Sequence, residues 1–152
     1  IAARAEDLGR QMAATGILYA SEPLHATRIA TKKLRYAVEM AQDLALADAQ
    51  AVLRALKGQQ ELLGRIHDLE VLASLADQAC AAVNRPVQAA RLVGDWHREC
   101  RELHAVYVRR RPTVQRMTAT VATVLARRVA RRRPVGRPPA PRGVPSRPKT
   151  AQ

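Results

Sequence analysis

Residues 24–39 form a charged segment that contains neither proline nor glycine. Without a helix breaker it can form one continuous α-helix, in which residues three and four apart share a face. Five polar residues have this spacing: His25, Arg28, Lys32, Arg35 and Glu39. Three permanent cations precede the first acid of the stripe, and like charges at this spacing repel by about 0.2–0.5 kcal/mol per pair. The stripe therefore favours a bound polyanion. The alternative is a solvated face whose long basic side chains cover the core.

Composition and periodicity predict an all-α protein. Hydrophobic residues make up 47% of the 152 residues and aromatic residues only 3%, and no segment alternates convincingly as a strand does. We expect an up-and-down bundle of long helices. The predicted helices cover residues 1–19, 22–46, 48–83, 86–111 and 113–133, with Pro112 separating the last two. Their apolar positions include Ile17, Leu18, Val71, Leu72, Leu75 and Leu92.

The basic charge is concentrated near the C-terminus. The net charge is +13, and residues 127–152 hold eight Arg and one Lys but no acid. Residues 134–152 are rich in proline and arginine, which predicts a disordered basic tail after a folded region of residues 1–133. Such a tail attracts nucleic acid or another polyanion in a salt-dependent way. A solubilising extension is the alternative.

A second motif lies on the next predicted helix. Gln60, Leu63, Gly64 and His67 share one helical face, with Asp68 at its border. A glycine inside a helix costs about 1 kcal/mol relative to alanine, so Gly64 predicts that another helix backbone passes close by. We expect Asp68 to orient a basic side chain of the second helix. A polar layer in a bundle core explains the same pattern without a binding role.

The two segments together resemble the CHAD domain, the conserved-histidine α-helical domain. The pattern His-x-x-Arg-x-x-x-Lys-x-x-Arg-Tyr-x-x-Glu is matched by His25, Arg28, Lys32, Arg35, Tyr36 and Glu39. The following pattern, Leu-Gln-x-x-Leu-Gly-x-x-x-Asp, is matched by Gln60, Leu63, Gly64 and Asp68, and Gln59 stands where the family usually has leucine. The resemblance spans residues 22–111 and is to the C-terminal half of the domain.

The resemblance implies a module that binds inorganic polyphosphate, in the cytoplasm and on polyphosphate granules. The family domain consists of two pseudo-symmetric helical bundles whose basic helices face one another across a cleft. The implied polyphosphate-binding residues are His25, Arg28, Lys32, Lys33, Arg35 and Tyr36, and the supporting residues are Glu39, Gln60, His67 and Asp68. This sequence has one copy of the basic row. Either an N-terminal half-domain is missing, or two copies pair as a homodimer.

No motif indicates catalysis. The sequence has no Gly-x-Ser-x-Gly, Walker or His-Glu-x-x-His motif, so we expect binding without turnover and without a cofactor. An accessory role beside a triphosphate-processing enzyme is a further alternative. His97, Cys100 and His104 share a face, but the two histidines lie about 10.5 Å apart along a helix, too far for one zinc ion unless a partner helix supplies further ligands. We expect no metal site and free, buried cysteines, as in a reducing cytoplasm. No apolar stretch predicts a membrane span.

Overall fold

Four helices make up a computed structural model that describes residues 1–43, 49–82 and 86–132. They are α1 (Ala2–Ala14), α2 (Ser21–Asp43), α3 (Gln50–Ala82) and α4 (Pro86–Arg132). Each helix packs on its neighbour in the chain, and α4 also packs on α1. The described residues contain no strand, so the predicted all-α, up-and-down bundle is confirmed. The predicted tail, residues 134–152, lies outside the described residues.

The helical period of the apolar residues decides which face of each helix is buried. In α2 the inward face holds Leu24, Leu34 and Val38, all at most 2% exposed, and the charged stripe lies about 120° around the helix from it. Two apolar clusters form the core. The first contains Leu8, Met12, Leu34, Val38, Leu56 and Val114. The second contains Leu24, Leu63, Ile66, Leu69, Cys100 and Tyr107. Burying one such leucine stabilises the fold by about 1.5–3 kcal/mol.

Polar side chains join α1 to α2 and α4. The Oγ1 atoms of Thr15 and Thr27 are hydrogen-bonded at 2.9 Å, and both residues are buried. Arg111 of α4 donates from Nη1 to the carbonyl oxygens of Met12, at 3.2 Å, and of Thr15. Carbonyl groups at the end of a helix have no partner within the helix. Arg111 therefore caps the C-terminal end of α1.

Several positions predicted to belong to the core are exposed. Helix α1 ends at Ala14 rather than at residue 19, because Thr15 has an extended backbone. Ile17 and Leu18 follow that end and are 80% and 84% exposed. Beyond Leu69 the inward face of α3 continues through Ala73. Four large apolar residues that were predicted on the helices α3 and α4 are exposed: Val71, Leu72, Leu75 and Leu92.

Pro112 does not end a helix, and the prediction of a break there is wrong. Helix α4 runs through it for 47 residues. Proline removes one backbone hydrogen bond from a helix interior, but here the packing on both sides compensates for that loss. Tyr107 before Pro112 and Val114 after it are both buried, and α4 packs on both α3 and α1. Tertiary contacts therefore override the local cost.

The interpretation of Gly64 is also wrong. A Cβ atom placed on Gly64 meets no atom within 4 Å, so no neighbouring helix backbone requires a glycine there. Cys100 and Cys80 are both free, with Cys100 buried and Cys80 partly exposed, so the prediction of burial holds for Cys100 alone. None of the described helices is long and apolar enough to span a membrane.

Candidate anion-binding site

The five charged residues predicted to share one face of α2 form one stripe along the helix, at the edge of its exposed face. His25 and Lys32 are exposed, whereas Arg28, Arg35 and Glu39 are partly buried. The core face of α2, which includes Leu24 and Leu34, is centred about 120° around the helix from these five residues. Arg28 and Arg35 are the members of the stripe nearest to that face, which is consistent with their partial burial. The stripe borders α3, which contributes Gln60 beside Arg35 and His67 beside His25. We call these five residues of α2 the basic row.

Arg35 is the most firmly held cation of the basic row. Its Nε donates to Oε1 of Gln60 on α3 at 2.8 Å, and its Nη1 pairs with Glu39 one turn along α2. Its guanidinium also lies 4.3 Å from the centre of the Tyr36 ring, within cation–π distance. The Nζ of Lys32 lies 5.9 Å from the same ring. Gln60, Glu39 and Tyr36 therefore fix the position of one guanidinium.

Arg28 has the opposite environment. Its side chain is partly buried, and Nε is buried without a hydrogen-bond partner among the described residues. A charged donor left without an acceptor in such a place costs free energy. A bound anion would supply that acceptor.

The N-terminal end of the basic row is a histidine pair beside carboxylates. The rings of His25 and His67 have centres 5.1 Å apart at a tilt of 46°. They line a shallow cavity of about 360 Å³ together with Glu22 and Glu70. Glu70 also accepts a hydrogen bond from the Tyr19 hydroxyl, and burial together with this carboxylate raises the pKa of Tyr19. Carboxylates therefore lie near His25, and the positive charge of the site is concentrated in the stretch from Arg28 to Arg35.

Two predicted site residues lie away from the basic row. Lys33 is exposed and follows Lys32, so it projects about 100° around the helix, on the side of α1. There Arg4 donates from Nη1 to the Lys33 carbonyl oxygen at 2.9 Å. Arg4 is a cation that sequence reasoning missed, since no motif links residues 29 positions apart. Asp68 is exposed and, among the described residues, makes no ion pair with α2.

The His97, Cys100 and His104 positions do not converge. His97 is exposed, whereas Cys100 and His104 are buried. Cys100 donates from Sγ to the Ile66 carbonyl oxygen at 3.8 Å, and burial raises the pKa of its thiol. His104 stacks on Tyr107 with ring centres 6.0 Å apart. No group of three or more potential metal ligands occurs in the described part of the chain.

Comparison with protein-family models gives one match. The model of the CHAD domain family matches residues 1–77, half of the 152-residue chain. The matched region includes α1, α2 and most of α3, and therefore both motifs. It begins earlier and ends earlier than residues 22–111, the range that the motifs predict. No curated protein and no solved structure matches the chain. On the extent of the family match, the chain belongs to the CHAD domain family.

Proposed function

We propose that this protein binds inorganic polyphosphate through the basic row of α2, without chemical turnover. The observation that carries the proposal is the stretch from Arg28 to Arg35, where three cations share one stripe and Arg28 has a buried Nε with no partner among the described residues. Proteins with a CHAD domain are associated with polyphosphate and triphosphate. The same association supports localisation to cytoplasmic polyphosphate granules.

The spacing of the basic row favours an extended anion. Successive contacts rise about 5 Å along the helix, and His25 to Arg35 spans roughly 15 Å. Arginine binds phosphate through a planar fork and lysine through a point charge. A row that mixes the two on an open surface can follow a repeating chain of phosphates. Binding is then electrostatic capture along the helix, with no bond made or broken.

Arg35 is the residue of the basic row whose side chain is held in one orientation. Gln60 and Glu39 occupy its Nε and Nη1, so the guanidinium is already oriented before an anion arrives. Preorganisation of this kind lowers the entropic cost of binding. A second basic row, contributed by a homodimer partner or another half-domain, would add a second wall of charge to the site.

The test compares two charge-matched variants of the full chain. Arg28→Gln should weaken binding of long-chain polyphosphate about tenfold or more at physiological salt, since it removes a charge-assisted contact. Arg101→Gln removes the same charge from an exposed position of α4 and should change affinity less than twofold. Duplex DNA is added as a competitor, and released phosphate is measured to confirm that no turnover occurs.

Two outcomes would contradict the proposal. Equal losses in the two variants would show that overall charge, not the basic row, attracts polyphosphate. Unchanged binding in Arg28→Gln, together with complete loss after deletion of residues 134–152, would assign binding to the tail. DNA that competes as well as polyphosphate would then favour the alternative of a nucleic-acid-associated protein.

A further inference from the structure

A second basic site lies between α3 and α4, apart from the basic row. It is a cavity of about 350 Å³ lined by Arg54 and Gln59 of α3 and by Arg109, Arg110 and Thr113 of α4. None of its lining residues belongs to α2. Three exposed arginines from two helices therefore line one small cavity. Within the described residues, none of the three has a carboxylate ion-pair partner.

Gln59 is the residue that makes this cavity unusual. It is 2% exposed, and neither its Oε1 nor its Nε2 has a hydrogen-bond partner in the described part of the chain. A buried amide without partners costs free energy. The inward positions one turn before and after it, Leu56 and Leu63, are buried leucines. An apolar residue would fit there. The buried amide therefore lowers the stability of the fold unless a ligand forms hydrogen bonds with it.

The lining groups define the chemistry of that ligand. The arginines and the Gln59 Nε2 are donors, and the Thr113 hydroxyl can donate as well. They require a compact anion with several acceptor oxygens. The Gln59 Oε1 in turn requires a donor. A monoprotonated phosphate group carries both, whereas sulfate near neutral pH carries acceptors alone.

Arg111, the next residue along α4, does not line the cavity and has a different role. Arg111 is directed to the carbonyl groups at the end of α1, whereas Arg109 and Arg110 border the cavity. On a helix Arg110 lies 100° and Arg109 200° around the axis from Arg111, and both line the cavity together with residues of α3. The three arginines of the cavity are exposed, and long exposed side chains change rotamer on the picosecond-to-nanosecond timescale, so they can adjust to an anion in the cavity.

We propose that the cavity between α3 and α4 binds a monoprotonated phosphate group through Arg54, Arg109, Arg110 and Gln59. Free inorganic phosphate and the terminal phosphate of a polyphosphate chain share this chemistry. The site stands independently of the basic row, and its failure would leave the proposed function untouched.

The experiment measures thermal unfolding of the full chain in sodium phosphate and in sodium sulfate at equal ionic strength and pH 7.5. Both salts stabilise proteins generally, so the informative quantity is the excess melting temperature in phosphate. The wild-type protein should show an excess of a few degrees. Gln59→Leu should melt higher without phosphate and lose the excess. Arg109→Gln should weaken phosphate binding about tenfold, and the control Arg101→Gln should keep the excess.

A site-resolved measurement accompanies the melting curves. The side-chain amide signals of Gln59 should shift on titration with inorganic phosphate or with tripolyphosphate, and not with sulfate. A response to phosphate alone identifies the free anion, whereas a response to tripolyphosphate alone identifies a chain end. Equal melting of the wild-type protein in phosphate and sulfate, combined with no shift of the Gln59 signals on addition of tripolyphosphate, would overturn the proposal. An undiminished phosphate excess in Gln59→Leu would also overturn it.

Discussion

The two arginines of the basic row differ in what surrounds them. Arg35 is held by Gln60, Glu39 and the Tyr36 ring, whereas the Nε of Arg28 has no partner among the described residues. The first is already oriented, and the second has unused hydrogen-bonding capacity. In a polyphosphate complex, Arg35 would set the position of the chain and Arg28 would gain the larger new interaction.

At this scale we predict that Gln60→Leu weakens polyphosphate binding although the net charge is unchanged. The variant removes the acceptor for Arg35 Nε, so the guanidinium loses its orientation and binding falls about two- to fivefold. Dissociation constants measured by titration test this. Gln78→Leu, at an exposed position of α3, is the control and should bind normally. Unchanged affinity in Gln60→Leu would show that orientation of Arg35 contributes nothing.

His104 gives the fold a dependence on pH. Burial and the nearby Arg111 lower the pKa of His104 below its ordinary value, so the unfolded chain binds a proton more readily than the folded one. His104 therefore contributes stability that is fully present above the unfolded pKa of about 6.5 and is lost as the pH falls below it. The loss is at most about 1.4 kcal/mol per pH unit.

Urea denaturation at pH 7.5 and 5.5 measures this effect. The wild-type protein should lose free energy of unfolding between the two values, and His104→Phe, which keeps an aromatic ring beside Tyr107, should lose less. An identical decrease in both proteins would assign the pH dependence to other groups.

At the scale of a single helix, α4 is stabilised by its packing on neighbouring helices. Its 47 residues include a proline that should interrupt it, yet buried residues continue on both sides, with Tyr107 before and Val114 after. The helix is therefore maintained by packing on α3 and α1 rather than by local propensity. Residue-by-residue propensity could not have revealed this, because the compensating contacts come from other helices.

At this scale we predict that Pro112→Ala stabilises the protein. Alanine restores the missing N–H and removes the ring, so the free energy of unfolding should rise by about 1–2 kcal/mol, measured by urea denaturation. Pro86→Ala is the matched control, since Pro86 begins α4 and a proline in the first turn costs little. A decrease in stability in Pro112→Ala would show that the helix depends on the proline geometry.

Across the whole molecule, Arg111 links the first helix to the last. Its contacts to the Met12 and Thr15 carbonyl oxygens join residues 99 and 96 positions apart in the chain. They support the packing of α4 on α1, which completes the ring of helix contacts in the bundle. Of the three consecutive arginines at residues 109–111, Arg111 therefore stabilises the fold, whereas Arg109 and Arg110 are exposed on the surface.

We accordingly predict that Arg111→Gln lowers the free energy of unfolding by about 1–3 kcal/mol, because it removes a charged donor from partly buried carbonyl groups. Arg110→Gln removes the same charge from an exposed neighbour and should change stability by no more than about 0.5 kcal/mol in phosphate-free buffer. Equal changes in the two variants, seen in denaturation curves, would refute the capping role.

Helical period and breaker residues were enough to predict the all-α bundle, the position of α2 and the stripe from His25 to Glu39, because these follow from the spacing of residues within one helix. The family resemblance rested on the same local spacing. Contacts between helices were not predictable in this way. The hydrogen bond from Arg35 to Gln60, the unpartnered Nε of Arg28, the burial of Gln59 and the passage of α4 through Pro112 depend on which helix faces which. Sequence spacing sets the face of a helix, but only tertiary packing decides what that face meets.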